Sequence, residues 1–267
     1  RHTYVAAKPE PVSIKQYSPH FFSWVRDIDG DGDLDILAVP IPGQAAHWYA
    51  NPGDMEGATT GVWKKHLALS YVGGESPEFA DITGDGKPEL VCIFDGAYGY
   101  ASPGNDPKNP WPFTPVTPKA NYGQFTHGMG LGDVNGDGRV DLLEKNGWWE
   151  QGAKSGELFE PHAFPFAASG GSQMFAYDFD GDGDNDVVSV QKAHGWGLKW
   201  FERRGKGEDI SFLPHEILPD RFNENSDSLN ISQMHALALA DLDGDGVKDL
   251  ITGKRYFAHG GNDPGAH

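Results

Sequence analysis

His235-Ala-Leu-Ala-Leu-Ala-Asp-Leu-Asp-Gly-Asp-Gly-Val-Lys-Asp-Leu-Ile-Thr252 holds one complete copy of the pattern that decides the fold. Its first six residues alternate large and small side chains with period 2, the period of a β-strand. The nonapeptide Asp241–Asp249 follows, with oxygen-bearing side chains at positions 1, 3, 5 and 9 and glycine at 4 and 6. The same nonapeptide begins again at Asp27, Asp81, Asp133 and Asp178, at intervals of 54, 52, 45 and 63 residues. After the loops come second apolar runs: Ile36-Leu-Ala-Val39, Leu90-Val-Cys-Ile-Phe94 and Val187-Val-Ser-Val190. Each loop is therefore expected to join two neighbouring strands.

Further strand-like segments follow. His47-Trp-Tyr49, Trp148-Trp-Glu150 and Leu198-Lys-Trp-Phe-Glu202 suggest a third strand, and Trp63–Leu69 and Phe212–Leu218 a fourth. A period near 40–50 residues with about four short strands per repeat is the mark of a β-propeller blade. The expected fold is all-β: one propeller domain over residues 1–267, with four-stranded blades and the acidic loop between the first two strands. Five blades are visible, either a whole ring or part of a seven-bladed one. Tyr4–Ala7 or Val12–Tyr17 could supply a strand that closes the ring. The chain begins with Arg and so reads as a processed product or a fragment.

Hard cations such as calcium take 6–8 oxygen ligands at short range. Alternate residues of a tight loop can offer them, and glycine permits the positive φ that such winding needs. The spacing predicts side-chain ligands at positions 1, 3, 5 and 9 and a backbone carbonyl at 7. In the first loop these are Asp27, Asp29, Asp31 and Asp35 with the carbonyl of Asp33. In the second they are Asp81, Thr83, Asp85 and Glu89 with that of Lys87. The third offers Asp133, Asn135, Asp137 and Asp141 with Arg139; the fourth, Asp178, Asp180, Asp182 and Asp186 with Asp184; the fifth, Asp241, Asp243, Asp245 and Asp249 with Val247. Four to five structural Ca²⁺ sites are expected. The second should be the weakest or empty, because Thr83 and Glu89 lower its charge and Pro88 stiffens it. Saturated sites of this kind are structural rather than catalytic, since a catalytic metal keeps a position open.

Charge counting supports the assignment. The net charge is −18, but the five loops hold 20 of the 39 acidic residues and only three of the 21 basic ones. The remainder of the chain is nearly neutral. No Lys/Arg-rich stripe is present, which argues against nucleic acid as a partner. No apolar run approaches the roughly 18 residues of a membrane span. The single cysteine, Cys92, excludes an internal disulfide and reads as a buried small hydrophobe. Weak calcium loops fill where calcium is near millimolar, so a secreted, periplasmic or cell-surface location is expected.

The residues most open to a specific activity lie six positions before each first Asp: Phe21, Glu75, His127, Ser172 and His235. Equivalent positions of equivalent strands ring the axis, so Glu75, His127 and His235 could converge at one face of a central channel. His20 and Gln173 stand one register away. Loops on that face could add His194, Trp196 and the cluster Lys254, Arg255, Tyr256 and His259. Imidazoles beside a carboxylate suit Zn²⁺ or a similar transition metal, or proton transfer near neutral pH. The alternative is an ordinary solvated channel lining. His66, His162 and His215 read as structural or surface residues. Trp48, Trp148, Trp149, Trp196 and Trp200 read as third-strand packing, and Trp111 and Trp196, set among Gly and Pro, as candidates for exposed sugar stacking.

The Asp-x-Asp-Gly-Asp-Gly-x-x-Asp loops between short strands resemble FG-GAP or VCBS repeats, which build the calcium-binding propellers of integrin alpha chains and of many secreted bacterial proteins. Thr126–Arg139 with Gly147-Trp-Trp-Glu150, and Ser232–Asp241 with Thr252–His259, look like a bacterial and fungal subgroup that includes the propeller of aldos-2-ulose dehydratase. The resemblance implies a sugar-related ancestry and leaves activity open. Together with the loops and histidines it suggests a secreted calcium-stabilised binding module that presents a His-rich channel face to a carbohydrate or metal ligand, its partner a carbohydrate or another extracellular protein. Two alternatives stand beside it. One is a sugar lyase or dehydratase, with His127, His235, Glu75 and His259 as metal ligands or acid–base groups and Lys254 or Arg255 holding a substrate oxyanion. The other is a surface adhesion propeller.

Overall fold

A computed structural model describes residues 20–53, 62–154, 156–222 and 229–254. The proposed closing segments, Tyr4–Ala7 and Val12–Tyr17, lie outside them. The chain divides into two compact units, one of residues 1–80 and 87–125, the other of residues 81–86 and 126–267.

The first unit is a seven-stranded antiparallel sheet in chain order. Its strands are β1 (Phe22–Arg26), β2 (Asp35–Val39), β3 (Gln44–Ala50), β4 (Lys64–Ala80), β5 (Glu89–Phe94), β6 (Ala97–Ala101) and β7 (Phe113–Pro115). β4 is a single strand of 17 residues that serves two sets. Its first part pairs with β3 as an outer strand, and its last part pairs with β5 as an inner one. The register slips between Gly73 and Glu78, where Pro77 lacks a ladder donor. Leu37, Trp48, Ala68, Leu90, Cys92 and Trp111 form the core, and burial pushes the Cys92 thiol up. β5 reads Glu-Leu-Val-Cys-Ile-Phe and is buried along nearly its whole length, as expected of a strand covered on both faces.

The second unit contains an eight-stranded sheet and a hairpin. β8 (Met129–Gly132), β9 (Asp141–Glu144), β10 (Gly147–Glu150) and β11 (Glu160–Ala163) make one antiparallel set. β12 (Gln173–Tyr177), β13 (Asp186–Val190), β14 (Leu198–Arg204) and β15 (Ser211–Leu218) make another. β16 (Leu237–Ala240) and β17 (Asp249–Thr252) form the hairpin. The two sets join through their first strands, β8 and β12, which run parallel. This contact explains the glycines of β8. A Cβ on Gly130 would collide with the Met174 backbone, and one on Gly132 would meet Ala176. Val134, Leu143, Trp148, Phe166, Met174, Val187 and Phe201 fill one core, and Val188, Val190, Leu198, Met234 and Leu237 another.

The fold is all-β and propeller-like: four-stranded antiparallel sets recur with the acidic loop between first and second strands. One side-chain device recurs as well. Trp48 pairs in register with His66, Trp148 with His162 and Trp200 with His215, always from third strand to fourth. The rings stack at 4.6, 4.1 and 4.3 Å. His162 also bonds Glu150 at 2.8 Å and His215 bonds Glu202 at 2.7 Å, which holds the Glu202 carboxyl below its usual range. These histidines are structural, as the sequence suggested, although their cross-strand pairing with the tryptophans was not foreseen.

Candidate functional site

The five loops share one wound geometry. Both glycines of every loop have φ between +77° and +95°, a region that other residues enter only with strain. Asp27 accepts the Gly30 N–H on Oδ1 at 2.8 Å and the Gly32 N–H on Oδ2 at 3.0 Å. Asp81, Asp133, Asp178 and Asp241 repeat the two contacts on their own glycines. Position 1 is thus the axle on which the loop turns.

Position 9 is a clamp. Asp35 accepts the Ile28 N–H at 2.8 Å on one oxygen and the Asn51 N–H at 2.8 Å on the other. Asp141 binds Val134 and Gln151 in the same way, and Asp186 binds Phe179 and Arg203. In each case the second donor lies at the end of the third strand or just beyond it, so one carboxylate fastens the loop to the body of its set. These carboxyls are buried. Desolvation raises Asp35, pushes Asp141 up to about 7 and pushes Asp186 up to about 6. Their backbone hydrogen bonds lower them again, but not enough to offset burial.

Carboxylate oxygens of Asp27, Asp29 and Asp35 lie within 4.8 Å of one another, as do those of Asp178, Asp180 and Asp186 and those of Asp241, Asp243 and Asp245. Protein cations stand beside some of these carboxylates. Lys108 stands 3.5 Å from Asp29, Arg203 stands 3.1 Å from Asp184, and Arg139 pairs with Asp137 beside it in the loop. Asp31, Asp33, Thr83, Asn135, Asp182, Val247 and Asp249 lie in the same nonapeptides, and Lys87 follows Gly86 at position 7. Asp29 is the telling member. Its side chain is 10% exposed and its Oδ1 is buried without a hydrogen-bond partner.

Three histidines come together in the second unit. His127, just before β8, His194, in the β13–β14 turn, and His235, just before β16, bring ring nitrogens within 4.8 Å of one another. The ring centroids are 5.1 Å apart for His127–His194, 4.9 Å for His194–His235 and 5.9 Å for His127–His235. All three pairs meet edge to face. Ser172 occupies the corresponding position before β12 and is buried. The repeat that has serine there brings its histidine from the turn after its second strand instead.

The remaining candidates scatter. Glu75 lies in β4 and His20 just ahead of β1, both in the first unit. Gln173 is buried and accepts the Leu237 N–H on Oε1 at 3.3 Å, tying β12 to β16. Lys254 is half-buried two residues past β17. Arg255, Tyr256 and His259 lie outside the described residues. Trp196 is half-buried against Phe222, with centroids 5.9 Å apart. Trp111 corrects the sequence reading: it is 3% exposed and sits in the core, its Nε1–H donating to the Pro107 carbonyl at 3.1 Å. The prolines that suggested an exposed ring instead supply the acceptor that lets it be buried.

The family and one solved structure agree with this architecture. The family model of the FG-GAP-like repeat matches residues 27–92 and 178–252, and the chain belongs to that family. No characterised protein matches significantly by sequence alone. Among solved structures, the chain is similar to an Agrocybe aegerita lectin described for its specific recognition of non-reducing terminal N-acetylglucosamine. The identity is 19% and the TM-score 0.51, over 88% of this chain and 60% of the lectin. It is also similar to the V. cholerae biofilm matrix protein Bap1, at 18% identity and TM-score 0.45, over 89% of this chain and 35% of that one. The chain thus spans less than two thirds of either protein. No helix among the described residues is long and apolar enough to cross a membrane.

Proposed function

We propose that this chain is a calcium-stabilised binding module that works outside the cytosol and takes a carbohydrate ligand. The observation that carries the calcium assignment is Asp29. A carboxylate oxygen buried without a partner is costly, since desolvation is not repaid by any hydrogen bond. A cation between Asp27, Asp29 and Asp35 would complete it. The donor set consists of oxygens only, which suits Ca²⁺ and not a softer metal. Calcium would neutralise the clustered carboxylates there and leave the fold otherwise as it is. Loops with lower charge or an internal cation, the second and third, would fill last.

The carbohydrate assignment rests on the propeller class, on the lectin's recognition of N-acetylglucosamine and on a concentration of imidazoles at one end of the second unit. A sugar lyase or dehydratase is the second reading, favoured by the meeting of His127, His194 and His235. Two measurements test the proposal. Equilibrium dialysis against ⁴⁵Ca²⁺ should give four or five bound ions per chain, and none would defeat the calcium reading. Binding to an immobilised panel of glycans in calcium should reveal a terminal sugar. Release of an unsaturated product from a bound sugar would transfer the assignment to the lyase.

A further inference from the structure

The acidic loops account for hard cations, but they leave the three imidazoles of the second unit without a purpose. From their geometry we infer that His127, His194 and His235 form a separate binding site for a transition-metal dication of the zinc class, with one coordination position open to an outside ligand.

Three features of the backbone hold these rings in place. A Cβ on Gly170 would collide with the His127 carbonyl, so only glycine lets that segment lie against His127. The Gly170 carbonyl accepts the Ala193 N–H at 2.8 Å, which sets the turn that carries His194. On the far side of that turn, the Gly195 carbonyl accepts the Gln233 N–H at 2.7 Å. His127, His194 and His235 are thereby linked through a short run of main-chain contacts rather than by mobile side chains.

Gln233 adds strain to this run. Its φ is +59°, unusual for a residue other than glycine, and it is 2% exposed. Backbone strain of this kind persists where the surroundings fix it, and it clusters at functional sites. Here it aims the Gln233 carbonyl at His235 Nδ1, 3.0 Å away. Nδ1–H donates to that carbonyl, so Nε2 carries the lone pair that a metal would take. A main-chain carbonyl on the remote nitrogen of an imidazole is the usual partner of a metal-binding histidine.

The donors select the metal. Imidazole suits zinc, copper, nickel and cobalt, whereas calcium and magnesium prefer oxygen. Edge-to-face rings let three lone pairs point at one centre, which face-to-face stacking would prevent. Three protein ligands leave a tetrahedral ion one position short, the arrangement of metal sites that bind water or substrate. His127 and His235 are half-buried, and His194 is exposed, so the open position meets solvent on the His194 side.

The test uses tag-free protein, stripped with chelator and returned to excess Ca²⁺. Occupied acidic loops then cannot take up the probe, and the outcome is independent of the calcium proposal. Titration with Zn²⁺ in a calorimeter should show one tight site. His194→Ala changes an exposed turn residue and should keep the melting temperature, yet weaken Zn²⁺ at least about 100-fold. His215→Ala, which removes a histidine already stacked on Trp200, should leave Zn²⁺ binding unchanged. Co²⁺ in place of Zn²⁺ should give a four-coordinate spectrum that shifts when azide is added. Absence of a Zn²⁺ site in wild type, or equal affinity in His194→Ala, overturns the site. A cobalt spectrum indifferent to azide overturns the open position.

Discussion

The two ends of the first strands tell opposite stories. At the downstream end, five loops repeat one solution, with position 1 winding the turn and position 9, wherever both of its contacts are seen, clamping the third strand. At the upstream end the same positions hold Phe21, Glu75, His127, Ser172 and His235, no two neighbours alike. Repetition marks what every set needs in order to fold. Departure from it, at His127, His194 and His235, marks what the second unit has that the repeat does not require. A propeller hosts many functions, so activity is sought where the repeats disagree.

The contrast can be broken experimentally. The largest effect should come from chelation. If several loops each lose a cation bound at about a hundredfold excess over its dissociation constant, each forfeits about 2.7 kcal/mol. The melting temperature should then fall by more than about 10 °C and recover with Ca²⁺. A calorimetric scan that EDTA leaves unmoved would return the loops to the status of acidic turns.

Next should come Asp141→Asn. Its two oxygens accept the Val134 and Gln151 N–H groups, so the amide would turn a donor toward a donor. With calcium removed, a loss of about 2 kcal/mol in denaturant unfolding is expected, against little change for Asp243→Asn on the exposed rim of the fifth loop, whose amide oxygen can still accept the Asp245 N–H. Equal losses would show that position 9 is no clamp.

Glu78 sharpens the comparison through pH. Burial pushes its carboxyl to about 7 and leaves Oε1 unpaired. Its folded-state value thus lies above the unfolded one, so the contribution of the neutral acid is whole below about 4.5 and is lost as pH rises through 7. In saturating Ca²⁺, the wild type should lose at most about 3 kcal/mol relative to Glu78→Gln between pH 4.5 and 8. Parallel denaturation curves at both pH values would remove Glu78 from the account. The smallest effect should be that of His194→Ala on stability, within about 0.5 kcal/mol by urea unfolding. A larger loss would make the histidine end scaffold too.

The wound loops were legible in the sequence, because a repeated Asp/Gly spacing in register needs no tertiary knowledge. The sequence also placed His127 and His235 at equivalent positions. His194 was legible only as a loop residue, since its place beside them depends on how the β13–β14 turn packs against Gly170 and Gln233. Trp111 misled because Pro and Gly neighbours suggest exposure, whereas the Pro107 carbonyl satisfies its indole. The parallel pairing of β8 and β12 left a trace only in Gly130 and Gly132, for period 2 does not distinguish parallel from antiparallel partners.

β4 has one more consequence. Repeat proteins ordinarily unravel one module at a time, since each module meets only its neighbours. A strand that is outer to one set and inner to the next removes that freedom, because both sets lose an edge when it detaches. The amides of β2, β3, β5 and β6 should therefore exchange with solvent in a single step, as one cooperative block rather than as two.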